Sequence, residues 1–338
     1  MRYLKKALFG LGVLCAGLSS GSLSAQSPLQ LGLPINCQLG EDCWLVNLVD
    51  LDPGPGVKDF QCQSQSYDGH KGTDFAIRDL KVMQRGVQVI ASAAGVVRGI
   101  RNDMPDEDVS IVGTHKVKGR ECGNGVVIAH PEGWETQYCH LRKGSVVVKK
   151  DDHVRKGQKI GFVGHSGRAG FPHVHLSVRR NRQIQDPFVG ANPGTTCQMS
   201  NQPLWDETSR AAVSAPLTAI YNAGFADVKP KISGIHAGHY QDKGFLKNAP
   251  ALVLWAAIYN VRAGDLVRMR IFDTEGELLH AHESTLKKDQ ATRILYSGKK
   301  RKTLFWPEGK YTGDITLTRK STKGPEQVFR VEREILLR

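Results

Sequence analysis

A short segment with two closely spaced histidines, residues 171–178, constrains this chain more than any other stretch. It reads Phe-Pro-His-Val-His-Leu-Ser-Val, and this alternation is typical of a β-strand with one buried face. Neighbouring side chains of a strand point to opposite faces. We therefore expect His173 and His175 on one face and the aliphatic side chains in a core. Two such imidazoles can bind a metal ion, although a pair of core or exposed histidines is the commoner interpretation of this pattern alone.

A second motif lies upstream, where His70 and Asp74 are four residues apart in a loop with glycines on both sides of Lys71. The glycines argue against a helix and predict a loop that enters a strand at residues 75–77. Imidazole nitrogen and carboxylate oxygen are both zinc ligands, and catalytic zinc sites use three protein ligands and leave one position for water. One histidine of the 171–178 strand would complete such a set. An aspartate that caps a turn is the alternative for this motif by itself.

The third motif is Tyr-Cys-His-Leu at residues 138–141, at the end of a predicted strand. His140 is a candidate general base or transition-state stabiliser, and a surface histidine is the alternative. The remaining histidines lack a carboxylate at ligand spacing or a flanking glycine frame, or fall in predicted turns. We expect no metal at His280 and His282 or at His236 and His239. We expect turn or surface positions for His115, His130, His153 and His165, of which His165 would lie near the site.

Together these motifs resemble the LytM/lysostaphin-type zinc metallopeptidases, which are peptidoglycan endopeptidases. The family's H-x-x-x-D motif is residues 70–74, its Tyr-x-His-Leu motif is residues 138–141, and its Gly-x-x-Gly element at 161–164 precedes the H-x-H pair. The resemblance covers roughly residues 67–190. This chain departs from the family at Cys139, where a small residue is usual, and at Leu176-Ser177, where Phe-Glu is commoner.

The resemblance implies specific roles for five residues. His70, Asp74 and His175 would bind one zinc ion per chain, and His140 and His173 would be the catalytic pair. The implied reaction is hydrolysis of peptide bonds in peptidoglycan cross-links or stem peptides by zinc-activated water. Two alternatives stay open, a non-catalytic wall-binding regulator of another hydrolase and a secreted peptidase that cuts Gly-rich proteins. The complete set of five residues argues against the regulator.

The first 25 residues have the pattern of a secretory signal peptide. A basic start precedes an apolar run over residues 7–18 and a small polar stretch that ends at Ala25. The apolar run is too short to cross a membrane as a helix, and no later segment is long and apolar enough. We therefore expect an exported protein in the periplasm or outside the cell, without a membrane span.

Six cysteines follow residue 25, and an even number in an exported chain favours disulfides. Cys37 and Cys43 are close enough to form a small disulfide-bonded loop, which we predict. The pairing of the other four stays open. They are Cys62, Cys122, Cys139 and Cys197.

The fold class is expected to be mainly β. Short strands separated by glycine or charged turns predict a LytM-type β-sheet or barrel-sandwich metallopeptidase domain, followed by a C-terminal β-sandwich domain. Residues 101–120 are expected to form an inserted surface loop. The predicted units are a signal peptide at 1–25, a cysteine-bearing lead-in at 26–66, the metallopeptidase domain at 67–190, a linker at 191–214 and the sandwich at 215–338.

The chain of 338 residues has a formal net charge of +13. Without residues 1–25, which hold three basic residues and no acidic one, the charge is +10. The densest basic run, residues 299–302, is either a solvated turn or a contact for an anionic polymer. An exported protein rarely meets nucleic acid, so we expect the anionic cell wall, that is peptidoglycan, or a membrane surface as the partner of this run, and no nucleic acid.

Overall fold

The computed structural model describes Met1 and residues 29–190, 197–214, 216–240, 244–320 and 325–338. Across these residues the protein is mainly β, as the sequence predicts. The predicted signal peptide at residues 1–25 lies outside the described residues except for Met1. None of the helices within the described ranges is long and apolar enough to cross a membrane.

The strands of the first part of the chain come before residue 190. They are β1 (Cys43–Leu45), β2 (Thr73–Ile77), β3 (Gln88–Ile90), β4 (Gly95–Arg101), β5 (Asn124–Ala129), β6 (Trp134–Leu141), β7 (His153–Val154), β8 (Lys159–Phe162), β9 (His173–Arg180) and β10 (Gln183–Gln185). Eight of them form one antiparallel sheet in the order β1-β2-β9-β6-β5-β4-β7, with β10 also paired to β9, and β3 pairs with β8.

The centre of this sheet places residues from distant parts of the sequence side by side. In the β2–β9 ladder Asp74 is opposite His175, and in the β6–β9 ladder Cys139 is opposite the same histidine. The other face of β9 is apolar, since Val174 and Leu176 are fully buried. Burial of that face fixes the register, because a shift of one residue would turn the histidines into the core.

The second part of the chain is a sandwich of two antiparallel sheets. Its strands are β11 (Ala219–Ala226), β12 (Ala251–Val261), β13 (Leu266–Phe272), β14 (Leu278–Thr285), β15 (Gln290–Lys300), β16 (Gly309–Arg319) and β17 (Gln327–Leu337). One sheet has the order β11-β12-β15 and the other β14-β13-β16-β17. Their facing sides share an apolar core, which includes Leu254, Ile271 and Ile315.

The outer face of the β11-β12-β15 sheet packs against the first part of the chain. The ring of Trp44 in β1 lies 5.9 Å from that of Tyr221 and 6.4 Å from that of Tyr259, measured between centroids. Phe171, just before β9, lies 6.5 Å from the Tyr259 ring. The sandwich is therefore attached beside the strand that carries the two histidines.

Four short α-helices connect these strands within the described residues. They are α1 (Leu80–Arg85), α2 (Val109–Val112), α3 (Glu207–Val213) and α4 (Ile232–His236). Helix α3 begins after Asp206, whose Oδ1 accepts a hydrogen bond from the amide of Ser209 at 2.7 Å. The predicted surface loop at 101–120 contains α2 and a 3₁₀ turn at Thr114–Val117.

One predicted strand is wrong, and two strands of the sandwich are not predicted by the sequence pattern. The apolar run at 145–148 predicts a strand, but these residues are irregular. A side chain satisfies part of this backbone, since Asn102 Oδ1 accepts from the amide of Val146 at 3.0 Å. The sequence pattern does not predict strands β11 and β15. β15 is rich in polar residues and is ordered by pairing along almost the whole of β12, which local sequence does not reveal.

Three disulfides occur within the described residues. The predicted Cys37–Cys43 bond is present. The four cysteines left open by the sequence pair as Cys62–Cys197 and Cys122–Cys139. The first of these joins the N-terminal lead-in to the segment after residue 196, and the second closes a short loop next to His140.

Candidate metal centre

His70, Asp74 and His175 converge on one point at the open face of the sheet. His70 Nε2 lies 3.3 Å from Asp74 Oδ1 and 3.1 Å from His175 Nδ1, and His175 Nδ1 lies 2.8 Å from Asp74 Oδ1. His70 and Asp74 are buried, and His175 is partly exposed. The loop after residue 69 and the start of β2 supply the first two residues, and β9 supplies the third.

These three atoms have the spacing of a metal-ligand set. Ligands about 2.0–2.1 Å from a tetrahedral zinc ion lie roughly 3.3 Å from one another, which is close to the three observed distances. Burial raises the pKa of Asp74, but the neighbouring His70 and hydrogen bonds from the surrounding histidines outweigh it and hold that pKa well below its usual value. The carboxylate is therefore charged and available to a cation, so the donor set fits a zinc ion.

The outer nitrogens and oxygen of the three side chains are held by neighbouring groups. His70 Nδ1 lies 2.6 Å from the carbonyl of Leu48, and His175 Nε2 lies 2.9 Å from the hydroxyl of Ser177. The amide of Asn47 donates to Asp74 Oδ2 at 2.8 Å. Such partners select the tautomer whose free nitrogen faces the metal. The sequence motifs did not reveal them, because Asn47 and Leu48 belong to a distant segment.

Gly72 allows the chain to approach the His175 ring. A Cβ atom at this position would lie 2.4 Å from His175 Nε2 and 2.6 Å from the carbonyl oxygen of Leu176. Only glycine leaves room for both groups. This explains one of the two glycines that flank Lys71 in the sequence motif.

His140 and His173 lie beside the three converging atoms. Their ring centroids are 4.6 Å apart, and His173 Nε2 is 3.7 Å from Asp74 Oδ1. His140 Nδ1 donates to the carbonyl of Ser166 and His173 Nδ1 to that of Phe171, each at 2.8 Å. In each ring Nε2 is then the nitrogen with a free lone pair.

Burial keeps both of these imidazoles neutral. It lowers the pKa of His140, and the nearby His173 and His175 lower it further, to well below its usual value. Burial also lowers the pKa of His173, partly offset by Asp74. At neutral pH each side chain can therefore accept a proton.

Tyr67 borders the site and was not selected from the sequence. Its ring centroid lies 4.5 Å from that of His70. Tyr67 is about half exposed, and partial desolvation of its hydroxyl, followed by the charge of Asp74, raises the pKa of that hydroxyl to about 12. The phenol therefore stays protonated and can donate a hydrogen bond at the edge of the site.

The predicted turn or surface positions of two other histidines are wrong. His130 is buried, with Nδ1 2.7 Å from the carbonyl of Ala94 and Nε2 2.9 Å from the hydroxyl of Thr136. His165 is buried, its amide donates to Asp106 Oδ1 at 2.8 Å, and the carbonyl of the next residue, Ser166, accepts from His140 Nδ1. Both lie in segments whose burial comes from the sheet, which turn-like local sequence does not indicate.

The other histidine pairs stay outside any candidate metal site. His280 Nε2 contacts the hydroxyl of Ser297 at 2.8 Å. Besides the site described above, the only other group of potential ligands found in the described residues is Cys37, Asp42 and Cys43. Its two cysteines form a disulfide and are not available as thiolates.

One family of known proteins matches the part of the chain that contains this site. The family model described as "Peptidase family M23" matches residues 68–187, the segment that holds all five residues of the site. Residues 68–187 therefore form an M23-like domain, which is about a third of the chain.

The M23 domain is also the part that resembles curated proteins. The DD-carboxypeptidase/endopeptidase Mpg of Neisseria meningitidis serogroup B is 36% identical over 124 residues, which are 37% of this chain and 23% of that protein. The peptidoglycan DD-endopeptidase ShyA of Vibrio cholerae is 39% identical over 109 residues, 32% of this chain and 20% of that protein. The chain thus spans less than a quarter of the length of these relatives.

Solved structures also match part of this chain, at lower sequence identity than the two curated relatives. The catalytic domain of the prophage-encoded M23 protein EnpA from Enterococcus faecalis has 21% identity and a TM-score of 0.32, and the match covers 49% of this chain and 98% of that one. The catalytic domain of lysostaphin from Staphylococcus simulans has 21% identity and a TM-score of 0.27, over 43% and 86% of the two chains.

Proposed function

We propose that the protein is an exported, zinc-dependent endopeptidase that hydrolyses peptide bonds in the cross-links or stem peptides of bacterial peptidoglycan. The convergence of His70 Nε2, Asp74 Oδ1 and His175 Nδ1 carries this proposal. The M23 domain and its similarity to peptidoglycan endopeptidases support the reaction and the substrate.

His70, Asp74 and His175 would hold the zinc ion. Bound zinc would supply Lewis acidity and lower the pKa of a water molecule to about 7. The contacts of these side chains with Leu48, Asn47 and Ser177 fix their orientation before any ion binds, so little reorganisation is needed.

His140 and His173 would handle the proton and the developing negative charge. Because both imidazoles are neutral at pH 7, either Nε2 can take the proton of the attacking water. The protonated ring then stabilises the oxyanion of the tetrahedral intermediate. The Tyr67 hydroxyl is a further donor at the edge of the site.

The location and the domain organisation are part of the same proposal. Three disulfides within the described residues support an oxidising compartment, the periplasm or the exterior. We place the catalytic domain at 67–190 and the sandwich at 215–338. The sandwich contains its own apolar core. The core of the catalytic part also includes residues from 31–60 and 204–213, and a smaller aromatic contact around Trp44 joins the two parts.

Digestion of purified cross-linked muropeptides tests the proposed function. We expect the zinc-loaded protein to convert dimers into monomers, with products identified by mass, and expect a chelator to stop the reaction until zinc is restored. A folded, zinc-loaded protein that binds peptidoglycan but cleaves no peptide bond would contradict the proposal and favour a wall-binding regulator.

A further inference from the structure

The disulfide between Cys122 and Cys139 lies directly against His140. Cys139 immediately precedes His140 and is buried, and the carbonyl oxygen of Cys122 accepts a hydrogen bond from the His140 amide at 2.8 Å. Both halves of the disulfide therefore touch the backbone that carries this imidazole.

The backbone at His140 is irregular. The β5–β6 ladder shifts register between the pairs Asn124–Leu141 and Val126–Tyr138, so that Cys139 and His140 together face a single residue, Gly125. This is a β-bulge, a feature that redirects a side chain. His140 itself has φ 64°, in the left-handed region that a residue with a side chain rarely adopts. Surrounding contacts must hold such a conformation in place.

Hydrogen bonds fix the bulge on the side of residue 166. Ser166 accepts from His140 Nδ1 through its carbonyl and donates from its hydroxyl to the carbonyl of Leu141 at 2.7 Å. The same hydroxyl accepts from the amide of Asn124 at 2.9 Å. On the opposite side, the bond from Cys139 to Cys122 is the covalent part of the support.

We propose that the Cys122–Cys139 disulfide is a positioning element for His140, which holds the bulge so that the imidazole keeps its place beside His173. This inference rests on the proposed function for its catalytic consequence. Cys139 is also the ladder partner of His175, so the zinc content of each variant must be measured to separate an effect on His140 from an effect on metal binding.

The test compares two disulfide-free variants, C122A/C139A and the matched control C62A/C197A. The control disulfide closes a loop with a sequence separation of 135 residues, against 17 for the proposed one. Removal of the longer loop is expected to cost at least as much stability. If lost stability alone lowered the activity, the control would therefore lose at least as much activity as C122A/C139A.

We expect C122A/C139A to bind one zinc ion per chain with unchanged KM while kcat falls about 10²-fold, the effect of a catalytic group displaced by about 1 Å. The control should keep kcat within about twofold of the wild-type value. Refolding C122A/C139A at a higher zinc concentration is not expected to restore kcat, because the zinc ligands of this variant are intact. Equal kcat losses in both variants would overturn the proposal.

Amide hydrogen exchange at His140 provides a readout independent of catalysis. We expect faster exchange in C122A/C139A than in the wild type or the control, because the hydrogen bond to Cys122 loses its covalent support. Unchanged exchange would overturn the proposal even if activity fell. If C122A/C139A shows faster exchange but the wild-type protein cleaves no muropeptide, the proposed function is contradicted and the positioning role is still supported.

Should C122A/C139A fail to fold, the folded wild-type protein can be reduced in place, since Cys122 is partly exposed. A water-soluble phosphine becomes its oxide as it takes the oxygen of water, and the two hydrogens go to the thiols that replace the disulfide. Iodoacetamide then alkylates the thiols with loss of iodide, and mass mapping selects molecules modified only at residues 122 and 139. The same faster exchange is expected, and native exchange would overturn the proposal.

Discussion

The hydroxyl oxygen of Ser177 lies 2.9 Å from Nε2 of His175, on the side of the ring opposite the nitrogen that faces Asp74. With Nε2–H donating to this hydroxyl, Nδ1 keeps its lone pair for a metal ion. Ser177 is buried, so water cannot easily replace it as the hydrogen-bond partner.

Replacement of Ser177 by alanine should therefore weaken zinc binding. We expect S177A to lose about 10- to 100-fold in zinc affinity, the usual effect of removing a group that orients a metal ligand. Competition with a chelating dye measures the affinity. Ser214→Ala is the control, because its exposed hydroxyl donates to the carbonyl of Arg210 in helix α3 and contacts none of the three candidate ligands. Equal affinity of S177A and the control would contradict this role.

Gly72 should tolerate no side chain. Since a Cβ atom would lie 2.4 Å from His175 Nε2, G72A should displace the ring and reduce zinc content to well below one ion per chain by elemental analysis. Gly99→Ala is the matched control, because a Cβ at Gly99 in β4 meets no atom within 4 Å. Full zinc content in G72A would show that zinc binding does not need the His175 ring in its present position.

Asp186 should make folding stability depend on pH. Burial, and then the nearby Asp59, raises the pKa of Asp186 from 3.8 to about 7. The native state therefore holds a proton that the unfolded state loses above about pH 4. Stability should fall as the pH rises from about 4 to 7, with a loss on the order of 4 kcal/mol.

The variant D186N should remove this part of the pH dependence. Asparagine keeps the oxygen that accepts from the amide of Phe188 and has no proton to lose. Urea unfolding at pH 5 and pH 8 measures the effect, with the exposed Asp151→Asn as control. The same stability difference between the two pH values in D186N and the wild type would rule out Asp186 as its source.

The core of the sandwich should be sensitive to truncation without loss of the metal site. Leu254 in β12 is fully buried between the two sheets, so L254A should lower the free energy of unfolding by about 2–5 kcal/mol. The zinc content of the folded variant should stay at one per chain, since Leu254 belongs to the core of the sandwich. Loss of zinc in folded L254A would show that the two units are not independent.

Local patterns predict part of this structure well. The alternation in residues 171–178 predicts the strand, the shared face of His173 and His175 and the burial of Val174, and the structure confirms all three. These features follow from the geometry of a single strand. The distances from these histidines to His70 and His140 depend on the neighbours of β9 in the sheet. Periodicity cannot predict those neighbours, and the family resemblance alone indicates that the four histidines belong to one site.

Other features depend on contacts that no local pattern contains. Asn47, Leu48 and Ser177 support the site through single hydrogen bonds, and only folding brings the first two to it. The irregular course of residues 145–148 has the same origin, since the Asn102 side chain replaces a ladder partner there. Cysteine pairing beyond Cys37–Cys43 was open for the same reason.

The most direct test of the account measures zinc content and muropeptide cleavage together in the wild type, H70A and H140A. We predict about one zinc ion per chain and cleavage in the wild type, loss of both in H70A, and retained zinc without cleavage in H140A. A wild-type protein that is folded but binds no zinc, or an H140A variant that cleaves at the wild-type rate, would contradict the account.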